Sequence, residues 1–153
     1  MDVTYINLFV ESVDELFSTV LNCAVQMGQI QKTDNLLVNR EIIAMFGLGG
    51  LVRWTVALVL PVTTALSVTE RFTRKQEILS DYRLTEIVAE IVDILIAGIA
   101  AKLKETRPDV TLGTLKVFQG KETTRLAPFA AAWIEVAFQS ELGTFQLRAA
   151  SGE

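Results

Sequence analysis

The chain has 153 residues, half of them hydrophobic and 21% charged, which excludes general disorder and gives enough length for one domain with a sizeable core. Its 14 Lys and Arg against 18 Asp and Glu leave a net charge of -4, so a basic face for nucleic acid is not expected. Histidine is absent and Cys23 is the only cysteine, which removes His-based acid–base and relay chemistry, an intrachain disulfide and a multi-Cys zinc site.

Residues 4–21 place Ile6, Phe9, Val10, Val13, Phe17, Val20 and Leu21 on one side of a helix. Cys23 follows among Leu21, Ala24 and Val25 and reads as a buried, inert thiol. Residues 22–32 alternate through Ala24-Val25-Gln26-Met27 and predict a strand, with a polar turn at 33–39. A second strand is expected over 40–48, and Gly47-Leu48-Gly49-Gly50 would supply the positive φ angles of a tight reversal. A Val- and Leu-rich strand covers 51–60, and Pro61 opens a helix over 61–72.

After a polar connection at 73–80 comes the longest helical signal, 81–105, with Ser80 or Asp81 as its cap and Pro108 beyond its end. Strands are expected at 110–119, 130–139 and 144–150, the last two joined by a turn at Glu141-Leu142-Gly143. The order of helix, three strands, helix, helix, three strands predicts an α+β fold, an antiparallel sheet packed with long helices in a single domain over 1–153. The halves at about 4–72 and 81–150 share the helix-then-three-strands plan, which suggests an internal duplication.

No membrane span is expected. The apolar stretch 51–68 carries Arg53 and breaks near Pro61, and 91–103 holds Asp93 and Lys102 and is too short. Met1-Asp2-Val3 offers no basic region before an apolar run, so a signal peptide is not expected and the cytoplasm is the default compartment. A mean hydropathy of +0.38 fits a large core plus a buried protein interface, which points to a homodimer.

The long helix carries the main chemical feature. At about 100° per residue, Glu86, Glu90, Asp93 and Ala97 share one narrow stripe. Ile87, Val88, Ile91, Val92, Ile94, Leu95, Ile96 and Ile99 cover nearly all the remaining circumference. A helix so apolar is buried on most sides, so the three acids should form its water-facing edge, with Ala97 and Ala101 allowing close approach. The plainer alternative is that the acids only solubilise that edge and complement the helix dipole. The first helix repeats the spacing with Asn7, Glu11, Asp14 and Ser18, though Glu15 beside them favours an ordinary solvated face.

Several other motifs are set aside. Gly47-x-Gly49-Gly50 precedes a strand and lacks a following Lys-Ser/Thr, so it is no phosphate loop. Asp34-Asn35 and Asn39-Arg40 are turn residues. Arg71-Phe72-Thr73-Arg74-Lys75 reads as a helix end with cations at the C-terminal dipole, with contact to an acidic partner surface as the alternative. Trp54 and Trp133 read as core or interface packing.

The segments at 7–11, 46–50, 56–58, 61–65, 90–98 and 143–145, taken in order, resemble the CheC/CheX/FliY family of chemotaxis phosphatases, CheX-like members above all. Asn7-Leu8-Phe9-Val10-Glu11 resembles the family's "NPFIEA" opening. Phe46-Gly47-Leu48-Gly49-Gly50 with Val56-Ala57-Leu58 resembles its "IGLSG…GSVVL" hairpin, and Pro61-Val62-Thr63-Thr64-Ala65 its "PEETA" helix start. Glu90-Ile91-Val92-Asp93-Ile94-Leu95-Ile96-Ala97-Gly98 resembles "GEIANMIAG", the helix with the catalytic pair, and Gly143-Thr144-Phe145 matches a turn near the end.

The resemblance implies a protein that binds a phosphorylated CheY-like receiver and promotes hydrolysis of its aspartyl phosphate. Glu90 and Asp93 would be the catalytic pair: Glu90 pairing with the receiver's active-site lysine, and Asp93 orienting the attacking water. Glu86 and Ala97 would contact the partner. The protein would need no cofactor of its own, because the receiver brings Mg²⁺. CheX proteins pair subunits by sheet continuation, which implies a homodimer here too.

Two departures stand out. The family motif ends in Asn where this chain has Asp93, and a Pro usual on the next strand gives way to Gly113 in Leu112-Gly113-Thr114-Leu115. An amide donates and accepts, whereas a carboxylate only accepts and is repelled by a phosphoryl group. Hydrolysis at a reduced rate is therefore expected. The alternatives are a receiver-binding protein or scaffold without turnover, and a dimeric structural module with no link to receivers.

Overall fold

A computed structural model describes residues 3–33, 37–38, 41–50, 52–120, 124–125 and 133–151. Its elements run α1 (Val3–Thr19), β1 (Val25–Thr33), β2 (Leu37–Val38), β3 (Ile42–Gly50), β4 (Trp54–Leu60), α2 (Val62–Thr73), α3 (Asp81–Thr106), β5 (Val110–Leu112), β6 (Lys116–Gln119), β7 (Thr124–Arg125), β8 (Trp133–Ser140) and β9 (Gly143–Ser151). This is the expected α+β fold with an antiparallel sheet.

The main sheet has seven strands in the order β1-β8-β9-β4-β3-β5, with β6 also on β3, and every pairing is antiparallel. The strands do not stay within their halves. β1 of the first half pairs with β8 of the second, while β5 and β6 of the second half pair with β3 of the first. Exchanging the halves leaves this order of pairings unchanged.

Alternation along the strands separates the two faces. Ile42, Ala44, Phe46 and Leu48 of β3, Val56, Leu58 and Leu60 of β4, and Phe145, Leu147 and Ala149 of β9 meet the buried sides of all three helices in one core. Phe17 of α1 stacks on Phe145 with ring centroids 4.8 Å apart, and Phe145 stacks on Phe138 at 5.0 Å. Tyr5 and Phe9 close on Trp54 at 5.2 and 6.2 Å. Ile43, Ala57, Val59, Trp133 and Ala150 form a second buried cluster on the opposite face. Both tryptophans are buried, as their places in alternating strands suggest, and so is Cys23, as its apolar neighbours suggest.

Local chemistry sets the helix ends. Ser80 caps α3, its Oγ accepting from the Arg83 backbone N–H at 3.1 Å. Pro61 is the N-cap of α2, one position before the helix that the sequence had it open. Arg74 ends α2 in the left-handed conformation at φ 59°, its N–H donating to the Glu70 carbonyl at 2.8 Å.

Four expectations need correction. Residues 110–119 are two strands, because the link at 113–115 leaves the ladder between β5 and β6. Gly47 and Gly49 lie inside β3 and are no reversal; Gly50 alone among the three has positive φ, 90°. Part of the 33–39 turn is the strand β2, which pairs with β7, and the Asp34-Asn35 and Asn39-Arg40 turns lie outside the described residues. β1 is a strand, but its alternation does not give one buried face: Gln26 through Lys32 are all exposed. It is an edge strand that the helical layer hardly reaches.

Gly50 shows why the hairpin needs glycine. A Cβ there would run into the Asp109 carbonyl oxygen, and φ is one that L-residues rarely adopt. Gly50→Ala is expected to lower stability by about 2 kcal/mol, read as a lower urea midpoint.

Candidate docking face on the long helix

α3 is wrapped on most of its circumference. Leu84, Ile87, Val88, Ile91, Val92, Leu95, Ile99 and Leu103 are buried against α1, α2 and the sheet. Glu86, Glu90, Asp93 and Ala97 are all exposed along the remaining side. The structure therefore brings the four stripe residues onto one open face, as about 100° per residue requires.

Their surroundings differ. Glu86 makes an ion pair with Arg83 one turn earlier, at 3.5 Å. Among the described residues, Glu90 and Asp93 have neither an ion pair nor a hydrogen-bond partner. Glu86 and Asp93 line a groove of about 420 Å³ between α3 and the β5–β6 link, with Thr85, Ala89, Thr114 and Leu115 among its walls. Glu90 and Ala97 lie outside that groove. Gly113, where the family has Pro, donates its N–H to the Gly47 carbonyl at 2.8 Å and so pins the link to β3. A proline would lose that bond.

The sequence reading missed two residues on this face. Ile94, grouped there with the buried residues, is 41% exposed, and Tyr82 at the start of the face is 74% exposed. Both were legible from spacing: Tyr82 is one turn before Glu86, and Ile94 one turn after Glu90. With Ala97 they give the acidic face an apolar fringe. Thr114 was also missed, because only the fold sets it beside Asp93.

The similar stripe on α1 has a different electrostatic setting. Asn7, Glu11, Asp14 and Ser18 are exposed, but Lys102 of α3 reaches across to the neighbouring Glu15 at 2.7 Å. The hydrogen bond to Glu15 is the main cause holding the Lys102 pKa above its ordinary value, burial pulls the other way, and the charges of Glu15, Glu11 and Glu105 add to the rise. The α1 acids thus sit by a cation, whereas Glu90 and Asp93 pair with none among the described residues.

The basic cluster at the end of α2 is partly structural. Arg71 donates to the Leu21 and Asn22 carbonyls at 2.9 and 3.3 Å and pairs with Glu141 at 3.2 Å, tying three segments together. Among the described residues, no group of three or more His, Cys, Asp or Glu is placed to hold a metal ion. No helix there is long and apolar enough to cross a membrane.

Three helices on one face of an antiparallel sheet with interleaved halves define the CheC-like fold. The chain matches the CheC-like superfamily protein of Shewanella sp. PV-4 with a TM-score of 0.84 at 19% identity over 100% of both chains. It matches the chemotaxis protein CheX of Desulfovibrio desulfuricans with a TM-score of 0.81 at 17% identity, covering 95% of this chain and 97% of that one. A third match is the CheX of a CheX–CheY–BeF₃–Mg²⁺ complex from Borrelia burgdorferi, with a TM-score of 0.77 at 17% identity, over 97% of this chain and 98% of that one. No family model and no curated protein matches the sequence.

Proposed function

We propose that the protein is a CheX-like chemotaxis protein that docks the α3 face on a phosphorylated CheY-type receiver and promotes hydrolysis of its aspartyl phosphate. One observation carries this reading: Glu90 and Asp93, carboxylates without a partner among the described residues, lie on the single open side of a helix that is otherwise packed. Leaving charges exposed and unpaired beside Ile94 and Ala97 suits a surface that meets its counter-charge on another molecule. Glu90 pairs with the receiver's lysine, and Glu86 and Ala97 line the contact. Asp93 accepts a hydrogen bond from the attacking water. The CheX–CheY complex, with its BeF₃ and Mg²⁺, supports a metal that arrives with the receiver.

The test is the loss of phosphate from a CheY receiver charged with acetyl phosphate and Mg²⁺. Added protein should speed the decay, and Glu90→Ala should weaken binding and cut the acceleration by about tenfold or more, the scale of a lost charge-assisted contact. Unchanged decay at saturating protein would refute the phosphatase reading. One observation favours a second reading, receiver binding without turnover: Asp93 stands where the family's amide would be. Tight binding to beryllofluoride-loaded CheY with no effect on decay would establish it.

The same reading includes a cytoplasmic homodimer and an origin by duplication. β1 supports the dimer: it is a nine-residue edge strand, exposed on both faces, with Met27 and Ile30 in the open. The exchange of strands between halves supports the duplication.

A further inference from the structure

Resting on the phosphatase reading above, we infer that the Thr114 hydroxyl supplies the hydrogen-bond donor that Asp93 lacks. The reaction makes two demands on the groove. The attacking water needs an acceptor to aim a lone pair at phosphorus, and the equatorial phosphoryl oxygens, which carry the spread charge of a loose transition state, need donors. An amide meets both demands with one side chain. An ionised carboxylate meets only the first.

Asp93 and Thr114 line the same groove from different elements, α3 and the β5–β6 link. The groove holds two threonine hydroxyls. That of Thr85 donates to the Tyr82 carbonyl at 2.8 Å, so its proton is engaged. That of Thr114 is exposed and has no hydrogen-bond partner among the described residues. Its carrier is stiff: the three-residue link is held by β5 and β6 on β3 at either end, and by the Gly113 N–H on the Gly47 carbonyl at 2.8 Å. A group on a pinned link keeps its aim without losing much freedom on docking.

The step balances without a further reactant. Water oxygen forms a bond to phosphorus, the bond from phosphorus to the receiver's aspartyl oxygen breaks, and its electron pair stays on the freed carboxylate. Both of the water's protons leave on the phosphate, as H₂PO₄⁻, so no side chain has to take one up. Asp93 orients that water by accepting a hydrogen bond, while the Thr114 O–H donates to an equatorial oxygen and keeps its proton.

The experiment is a double-mutant cycle on acetyl-phosphate-charged CheY, read as the decay rate at saturating protein. Thr114→Ala should lower the acceleration by about 100-fold, the lower end of the usual effect of losing one preorganised donor. Thr114→Ser should retain most of it. In the Asp93→Asn background the same alanine should cost no more than about twofold, because the amide restores a donor; coupling of this kind marks two groups serving one need. The unfolding midpoint should stay near the parent's, because the Thr114 side chain is exposed. Activity of Thr114→Ala equal to the parent's, or an equal loss in both backgrounds, would overturn the Thr114 assignment and leave the phosphatase reading standing. No acceleration by the parent or by Asp93→Asn would remove both.

Discussion

Asp93→Asn is expected to accelerate receiver dephosphorylation by about 10- to 100-fold over the parent protein. The substitution is nearly isosteric and exposed, so folding should be untouched. It removes a negative charge that would face the phosphoryl group, and it adds a donor while keeping an acceptor for the water. Repulsion across a desolvated contact is far stronger than in bulk water, which is why the effect should be large on docking and invisible in the free protein. The decay rate at saturating protein is the direct measurement. A variant no faster than the parent would show that Asp93 does not face the phosphoryl group.

Phe145→Ala should be the most destabilising single truncation we can point to, at about 3–5 kcal/mol. Phe145 is buried in the middle of a three-ring stack, between Phe17 of α1 and Phe138 of β8. Its loss opens a cavity where helix, β8 and β9 meet, and neither ring neighbour can fill it without leaving its own contacts. Urea unfolding should show a lower midpoint with an unchanged slope. Against a total stability typical of about 5–15 kcal/mol for such domains, that loss is a large fraction. Trapping of a cooperative transition at nearly the parent's midpoint would mean the stack repacks.

How legible the fold was depends on the range of the forces involved. α3 could be read because its burial is decided by neighbours three and four positions away, and Leu84, Ile87, Val88, Ile91 and Leu95 obey that rule. The exposure of Glu86, Glu90 and Asp93 followed from the same geometry. Ile94 was misplaced because its chemistry was weighed above its angle: it lies beside the acids, and the fold leaves it there. β1 is legible as a strand but not as a doubly exposed edge, since its ladder partner among the described residues, β8, is far away in sequence, with Val25 opposite Ser140. The glycines of β3 signal either a turn or a close approach. Here Gly47 accepts the Gly113 N–H from a segment that no local pattern could place beside it. The groove beside Asp93 arises from that same long-range contact, so Thr114 carried no local mark.

The interleaved sheet also constrains how the chain can be made. β1 ends at Thr33, yet its ladder partner β8 begins only at Trp133. During synthesis the nascent chain therefore holds β1 without its ladder partner until Trp133–Ser140 has been translated. Closing so wide a loop is slow. A product truncated before Trp133 would display that strand permanently, with its hydrogen-bonding edges open to other chains.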